Sequence, residues 1–280
     1  MMVRCSNRDG GPMNKHFKPS GVITVTTDFG HRGPFVGTMK GVIVSRFPAV
    51  RIIDLTHEAY VHWPAEAGFW IARSYHYFPP GTVHLAVVDP GVGTDRSMLL
   101  AVGDGHAFLA PDNGLLAEVI DKSKACAYHL REDIIEANAL ADISATFHGR
   151  DVFAPLAAGI AAGQLEPHAI GTVTDDYVPS IIEPPTRRGA QLTGMIITTD
   201  QFGNLISNIE RVDIDAFRRP VIQAGGHNIT FRRTYGDVAP GELLALINSF
   251  GVLEIARAQQ NAAECLGIGR GAPLKVVEQG

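Results

Sequence analysis

Apolar and polar positions along this chain follow two regimes. In the first, β-branched runs alternate with stretches whose apolar residues recur at helical spacing. VITVTTDFG (Val22–Gly30) predicts a buried strand with polar residues at its carboxyl end. GPFVGTMKGVIVSRFP predicts a helix that stops at Pro48, and VRIIDLTHE (Val50–Glu58) a second strand. PAEAGFWIARSYHYF carries Pro64 in the first turn of a predicted helix. TVHLAVVDP (Thr82–Pro90) predicts a third strand, and MLLAVGDGHAFLAPD a fourth that turns tightly at glycine into a fifth. GLLAEVI reads as a short helix. Further on, FHGRDVFAPLAAGIAAG predicts a helix with Asp151 as its N-cap.

In the second regime the helical spacing disappears. LTGMIITTDQFGNLISNI, PVIQAGGHNITF and ELLALINSFGVLEIA are β-type runs broken by Gly and Asn. The expected architecture is α/β. An N-terminal α/β domain (21–182) has a largely parallel sheet, and a smaller C-terminal antiparallel β-barrel domain (191–280) follows it. The Pro-rich segment Glu183–Ala190 reads as a linker, and residues 1–20 as a disordered tail. Sheets of the first kind bind ligands beyond the carboxyl ends of their strands. Asp28, Asp54 and Asp89 all fall at such ends, so one shared rim is expected.

Composition narrows the function. The chain has 280 residues, 45% apolar and 19% charged, with a formal net charge of −5. No basic face is implied, which argues against nucleic acid or an anionic membrane as partner. No apolar run approaches the roughly 20 residues that cross a bilayer. The N-terminal stretch lacks a signal peptide's apolar segment. Three cysteines, Cys5, Cys126 and Cys265, fit neither a disulfide framework nor a zinc pattern. A reducing cytoplasm is the expected compartment.

Motifs narrow it further. Neither a G-x-G-x-x-G fingerprint nor a P-loop is present. The histidines at 57, 62, 84, 106 and 129 lack paired ligand spacing and read as satisfied or surface side chains. His148 differs, lying in a glycine-flanked loop before a helix start, beside Arg150 and Asp151. The loop after the third strand holds Asp89 and Arg96, is stiffened by Pro90 and is spaced by glycines. A surface ion pair would contribute little there. A rim loop of fixed shape carrying both charges suits catalysis. Asp28 reads either as an Asx-turn or as a carboxylate gripping vicinal hydroxyls. In DQFGNLISN, an aromatic beside amides suits a flat heterocycle.

Seven blocks together resemble one family, the S-adenosylmethionine hydroxide adenosyltransferases, which are relatives of fluorinating and chlorinating enzymes. The blocks are TTDFG (Thr26–Gly30), DLTHE (Asp54–Glu58), VVDPGVGTDR (Val87–Arg96), APDNGLL (Ala110–Leu116), TFHGRD (Thr146–Asp151), DQFGNLISNI (Asp200–Ile209) and NSFGVLEIA (Asn248–Ala256). The resemblance implies hydrolysis of S-adenosyl-L-methionine to adenosine and L-methionine, with no metal and no cofactor. It implies a homotrimer with substrate sites between subunits. Asp89, Arg96 and His148 would form the catalytic set. Asp28 would hold the ribose hydroxyls, Phe147 and Phe202 would line the nucleoside pocket, and Asn204 would meet the adenine edge. Asp200 and Ser249 would meet the methionine amine and carboxylate, with Glu254 near the nucleoside.

Two other readings stay open: a halide-using chlorinase of the same fold, and a non-catalytic binder of adenosine or S-adenosylmethionine. The halogenating relatives carry a tyrosine and a threonine where this chain has Asp89 and Val92, and an inserted loop that is missing here. Their sugar-stacking tryptophan aligns with either His62 or Trp63. Where they have an arginine for the substrate carboxylate, this chain has Phe250.

Overall fold

The structure, a computed structural model, describes residues 17–279. Positions 1–16 of the expected tail, Cys5 among them, lie outside the described residues. Residues 17–20 are anchored rather than loose: Phe17 packs against the core, and the Ser20 amide donates to Gly81 O at 3.0 Å. The chain divides into two compact units, one ending at Ile181 and one beginning at Ile182.

The first unit contains strands β1 (Val22–Thr27), β2 (Arg51–Thr56), β3 (Val83–Val87), β4 (Met98–Gly103), β5 (His106–Pro111), β6 (Cys126–Leu130) and β7 (Gly171–Thr174). Its helices include α1 (Phe35–Arg46), α2 (Pro64–Ser74), α3 (Ala117–Ser123), α4 (Glu132–Asn138) and α5 (Ala154–Ala161). The sheet order is β2-β1-β3-β5-β4-β6-β7. The β2-β1-β3-β5 half is parallel and the remaining ladders are antiparallel. Strands β1, β3, β4 and β5 are buried at every residue. Both faces are covered, which is why these strands read as unbroken apolar runs. Met39, Ile43, Leu156 and Ile160 of α1 and α5 cover one face; Ile71, Ala72 and Val119 of α2 and α3 cover the other. The β4–β5 turn is made by Asp104 (φ 50°) and Gly105 (φ 79°), the pairing a tight hairpin requires.

Asp151 does not cap a helix. It lies inside a π-helical turn, Gly149–Phe153, that leads into α5. Its fully buried carboxylate accepts from Arg150 Nε at 2.5 Å and from the Ser144 amide at 2.9 Å. The acid therefore staples the preceding loop to the turn, and nothing remains of it for a cap. Burial alone would raise its pKa, but these bonds outweigh burial and lower it.

The second unit is antiparallel. Its strands are β8 (Thr186–Arg188), β9 (Gln191–Thr199), β10 (Leu205–Glu210), β11 (Pro220–Ala224), β12 (His227–Thr230), β13 (Leu243–Ile247), β14 (Val252–Arg257) and β15 (Pro273–Glu278). The order is β12-β11-β15-β9-β10-β14-β13. Beyond β12, Phe231 bridges Ala245 of β13 and the Arg232 amide donates to Ala245 O at 2.7 Å, so the sheet nearly closes into a barrel. Ile196, Leu205, Ile222, Leu253, Ile255 and Val276 fill it. The segment read as a linker contributes β8, which pairs with β9.

Candidate active site

Because β1 and β3 are parallel neighbours, with Thr27 opposite Val87, the loops after them open side by side on the carboxyl rim. Asp89 and Arg96 stand in the loop after β3. The guanidinium grips the carboxylate from Nε at 2.8 and 2.9 Å, and Nη2 makes a further short contact with Oδ2. Both side chains are nearly buried, at 4% exposure for Asp89 and 9% for Arg96, and the guanidinium also lies over the Phe153 ring. This is not the plain surface pair that solvent would screen.

Arg96 Nη2 reaches His148 Nδ1 at 3.2 Å. A guanidinium can only donate. His148 Nδ1 therefore accepts, and the proton of the neutral ring sits on Nε2. Burial, and then the Arg96 charge, lower the His148 pKa, so the ring is neutral at neutral pH. Three of the five guanidinium N–H groups are used in this way. Nη1 is buried and has no partner among the described residues.

Backbone geometry brings the two loops together. Gly93 has φ 78°, and a Cβ there would lie 2.3 Å from Ala145 O, three residues before His148. Only glycine permits that approach. The π-helical turn after His148 then aims this segment; such turns recur at functional sites.

Asp28 follows β1 directly, and its Oδ2 accepts from the His62 amide at 2.9 Å. Phe147 packs edge-to-face on Phe29 and Phe35, and the Arg150 guanidinium covers its ring at 5.0 Å. Phe35 is 49% exposed. An aromatic surface thus adjoins the Asp89–Arg96–His148 set.

The remaining expected residues lie in the second unit. Asp200 Oδ1 accepts from the amides of Phe202 and Asn204, both at 2.9 Å, and Oδ2 from Asn204 Nδ2 at 3.0 Å. The Asn204 side-chain NH2 is therefore already committed, while the Phe202 ring stands 68% exposed. Ser249 is exposed in the turn held by Asn248 Oδ1, which accepts from the amides of Phe250 and Val252. Glu254 is buried in β14 and accepts from the Tyr235 hydroxyl at 2.7 Å. Burial raises its pKa and the Asp200 charge adds to the rise, against hydrogen bonds from Tyr235 and Asn248. Burial and the same carboxylates raise the Tyr235 pKa.

Within each unit the expected residues gather: Asp89, Arg96 and His148 in one, Asp200, Asn204 and Glu254 in the other. Sequence reasoning passed over Phe29, Phe35 and Tyr235. Phe29 stands beside Asp28 in the TTDFG block, a usable signal; nothing local marks Tyr235. Among the described residues no group of three or more His, Cys, Asp and Glu side chains is arranged to hold a metal ion. No helix there is long and apolar enough to cross a membrane.

Known proteins agree with this architecture. Residues 23–171 match the SAM hydroxide adenosyltransferase N-terminal domain, and residues 194–275 the C-terminal domain. A protein of Thermus thermophilus named (R)-S-adenosyl-L-methionine hydrolase is 35% identical over 257 residues, 90% of this chain and 97% of that one. One of the same name from Salinispora tropica is 36% identical over 271 residues, 92% of this chain and 98% of that one. The crystal structure of a conserved protein from Thermotoga maritima superposes with a TM-score of 0.84 at 31% identity, covering 91% of this chain and 100% of that one. With both domains matched in order over most of its length, this chain belongs to the S-adenosylmethionine hydroxide adenosyltransferase family.

Proposed function

We propose that this protein hydrolyses S-adenosyl-L-methionine to adenosine and L-methionine by in-line attack of water on the 5′ carbon. The observation that carries the proposal is the buried Asp89–Arg96–His148 chain on the rim, with Arg96 Nη1 unpartnered. The sulfonium leaves as a neutral thioether and needs no acid; the C5′–S bond breaks as the C5′–O bond forms, and the proton lost by the attacking water is released to solvent. The nucleophile needs help, since the pKa of water is about 15.7. Arg96 supplies N–H donors that stabilise developing hydroxide. Asp89 holds the guanidinium rigid and makes the pair neutral overall, so the donor adds no net charge beside a cationic substrate. The Nδ1 lone pair of His148 is taken by Arg96, which supports a ring that orients water through Nε2–H. No metal or cofactor takes part.

Asp28 holds the ribose hydroxyls, and Phe147 and Phe202 line the nucleoside pocket. Asn204 meets the adenine edge through its carbonyl oxygen. Asp200 and Ser249 bind the amine and carboxylate of the methionine portion, with Glu254 close to the nucleoside. The protein acts in the cytoplasm as a homotrimer, each site combining the first unit of one subunit with the second unit of the next. Free Cys126 and Cys265 suit that reducing compartment. Light scattering at three times the chain mass supports the assembly; a monomeric mass overturns it.

The test incubates the protein with each sulfonium epimer of S-adenosyl-L-methionine in chloride-containing, chelator-treated buffer. The relatives' name specifies the R epimer. Adenosine and methionine at catalytic ratios, lost in Asp89→Ala, support the hydrolase. A 5′-chloro nucleoside, or substrate bound without turnover, overturns it.

A further inference from the structure

His57 has no part in that mechanism, yet its side chain is fully buried beside the rim. The register explains how. Along the β1–β2 ladder Val25 faces Asp54 but Thr26 faces Thr56, so Leu55 is an extra residue. Such a bulge re-aims the residues after it. Here it turns His57 toward Thr27, the last residue before Asp28.

The contacts then converge on one short loop. The Thr27 hydroxyl meets His57 Nδ1 at 2.8 Å and accepts from the Phe29 amide at 3.3 Å. The Gly30 amide donates to His57 O at 2.8 Å, and Gly30 sits at φ 63°. The loop Asp28–Gly30 is thus gripped by the side chain of His57 through Thr27 and by its backbone directly. On the far side of the ring, Nε2 lies 3.1 Å from Asp54 Oδ1; burial lowers the His57 pKa, so the ring is neutral and this contact is no ion pair. Asp54 is fixed in turn by Lys40 Nζ of α1 at 2.6 Å. With Nε2 protonated toward Asp54, Nδ1 is free to accept from Thr27.

We propose that Thr27, His57 and Asp54 form a positioning relay that sets the Asp28 carboxylate for the ribose hydroxyls. The relay rests on the reading of Asp28 given above. None of the three touches substrate. Asp28 has one visible tether of its own, the His62 amide. The angle at which its carboxylate leaves β1 is therefore set by the Thr27–His57 contact behind it. A buried histidine also cannot re-solvate when a partner is lost, so removing one hydroxyl shifts the loop rather than being absorbed by water.

The experiment is calorimetric titration of the full-length protein with adenosine and with 2′,3′-dideoxyadenosine, which lacks both hydroxyls. Thr27→Val removes the hydroxyl at constant volume, Thr27→Ser retains it, and Asp54→Ala acts from a partly exposed position. Thr27→Val weakens adenosine about three- to tenfold, the scale of one lost positioning hydrogen bond, and leaves dideoxyadenosine unchanged. Thr27→Ser keeps the adenosine affinity. Asp54→Ala weakens adenosine alone, by roughly twofold, as expected for a partly exposed ion pair such as Asp54–Lys40. An equal fall for both ligands in Thr27→Val, or no fall for either, overturns the relay. If Thr27→Val does not fold, Asp54→Ala decides by the same selectivity. If the unsubstituted protein binds both nucleosides equally, the reading of Asp28 has failed, and the relay with it.

Discussion

Two of the histidine chains in the N-terminal unit differ in where they end. At the rim, His148 accepts from Arg96, which grips Asp89, and the ring is half-buried. In the interior, His84 Nδ1 meets the Thr24 hydroxyl at 2.8 Å and its Nε2 meets His106 Nδ1 at 3.2 Å. His84 also stacks on Phe108, with ring centroids 4.9 Å apart. Burial lowers the pKa of His148, His84 and His106 alike. Only the rim chain contains a permanent cation and a donor left over. Depressed histidine pKa values therefore mark burial in this fold; the spare N–H of a fixed guanidinium is what sets the rim chain apart.

Removing that cation has the largest expected effect on activity. Arg96→Ala lowers kcat by about 10²–10³-fold, the scale for losing a preorganised donor to a developing oxyanion. Arg96→Lys does not restore it, because an ammonium cannot hold Asp89 through two nitrogens while reaching His148. Turnover measured on samples with matched thermal midpoints checks both. Near-normal activity in Arg96→Lys would reduce the guanidinium to a simple charge.

A second test leaves Asp89, Arg96 and His148, the proposed catalytic set, unchanged and separates the loops that carry them. Gly93→Ala requires a non-glycine residue at φ 78° and drives a Cβ into Ala145 O. A displacement of this kind costs on the order of 10²-fold in kcat. The interior chain does not depend on that approach, so unfolding of Gly93→Ala keeps the pH dependence of the unsubstituted protein. Activity within twofold of normal would mean that the Asp89–Arg96 loop need not abut the His148 segment.

The interior chain has its own test, in stability. The folded-state pKa of His84 falls from 6.5 to about 3 because the ring is buried, with His106 adding to the effect. The unfolded chain therefore binds the proton more readily than the folded one. The stabilisation is fully present above pH 6.5 and is lost as pH falls toward 3. The limiting slope is about 1.4 kcal/mol per pH unit for one such group. Urea midpoints measured from pH 7.5 to 5 should fall accordingly, with a shallower fall in His84→Gln. A flat profile in the unsubstituted protein would show that the chain tolerates a proton.

These two chains also show what a sequence can disclose. The buried strands β1, β3, β4 and β5 were legible because both faces are covered and their apolar runs are unbroken. Strands β6 and β7 were not, being short, with β7 largely exposed. Asp89 and Arg96 are seven positions apart in one rim loop, and local reasoning reaches them. His148 is 52 positions from Arg96; its glycine-flanked loop marked it locally, and only the block pattern of a family joined it to that pair. His57 read as a satisfied side chain because the bulge that turns it toward Thr27 exists only in the pairing of two strands. Asp151 read as a cap because it stands directly before the apolar run of α5, and no local pattern shows its carboxylate committed to Arg150 and the Ser144 amide.

The C-terminal unit extends the comparison to a carboxyl group, with the smallest effect. Burial raises the Glu254 pKa and Asp200 adds to it, whereas the Tyr235 hydroxyl holds it down by donating at 2.7 Å. Tyr235→Phe removes that donor, so the Glu254 pKa rises further and its charged form is lost at a higher pH. If the charged carboxylate serves binding, the KM for S-adenosylmethionine begins to climb at higher pH in the variant. The increase on the acid side is about threefold, the low end of what one hydrogen bond contributes, and kcat stays as it was. The profile of KM against pH reads this directly. A parallel loss in kcat would place Tyr235 in the chemical step. An unmoved profile would show that Glu254 meets the substrate uncharged, acting as a donor rather than as a counter-ion.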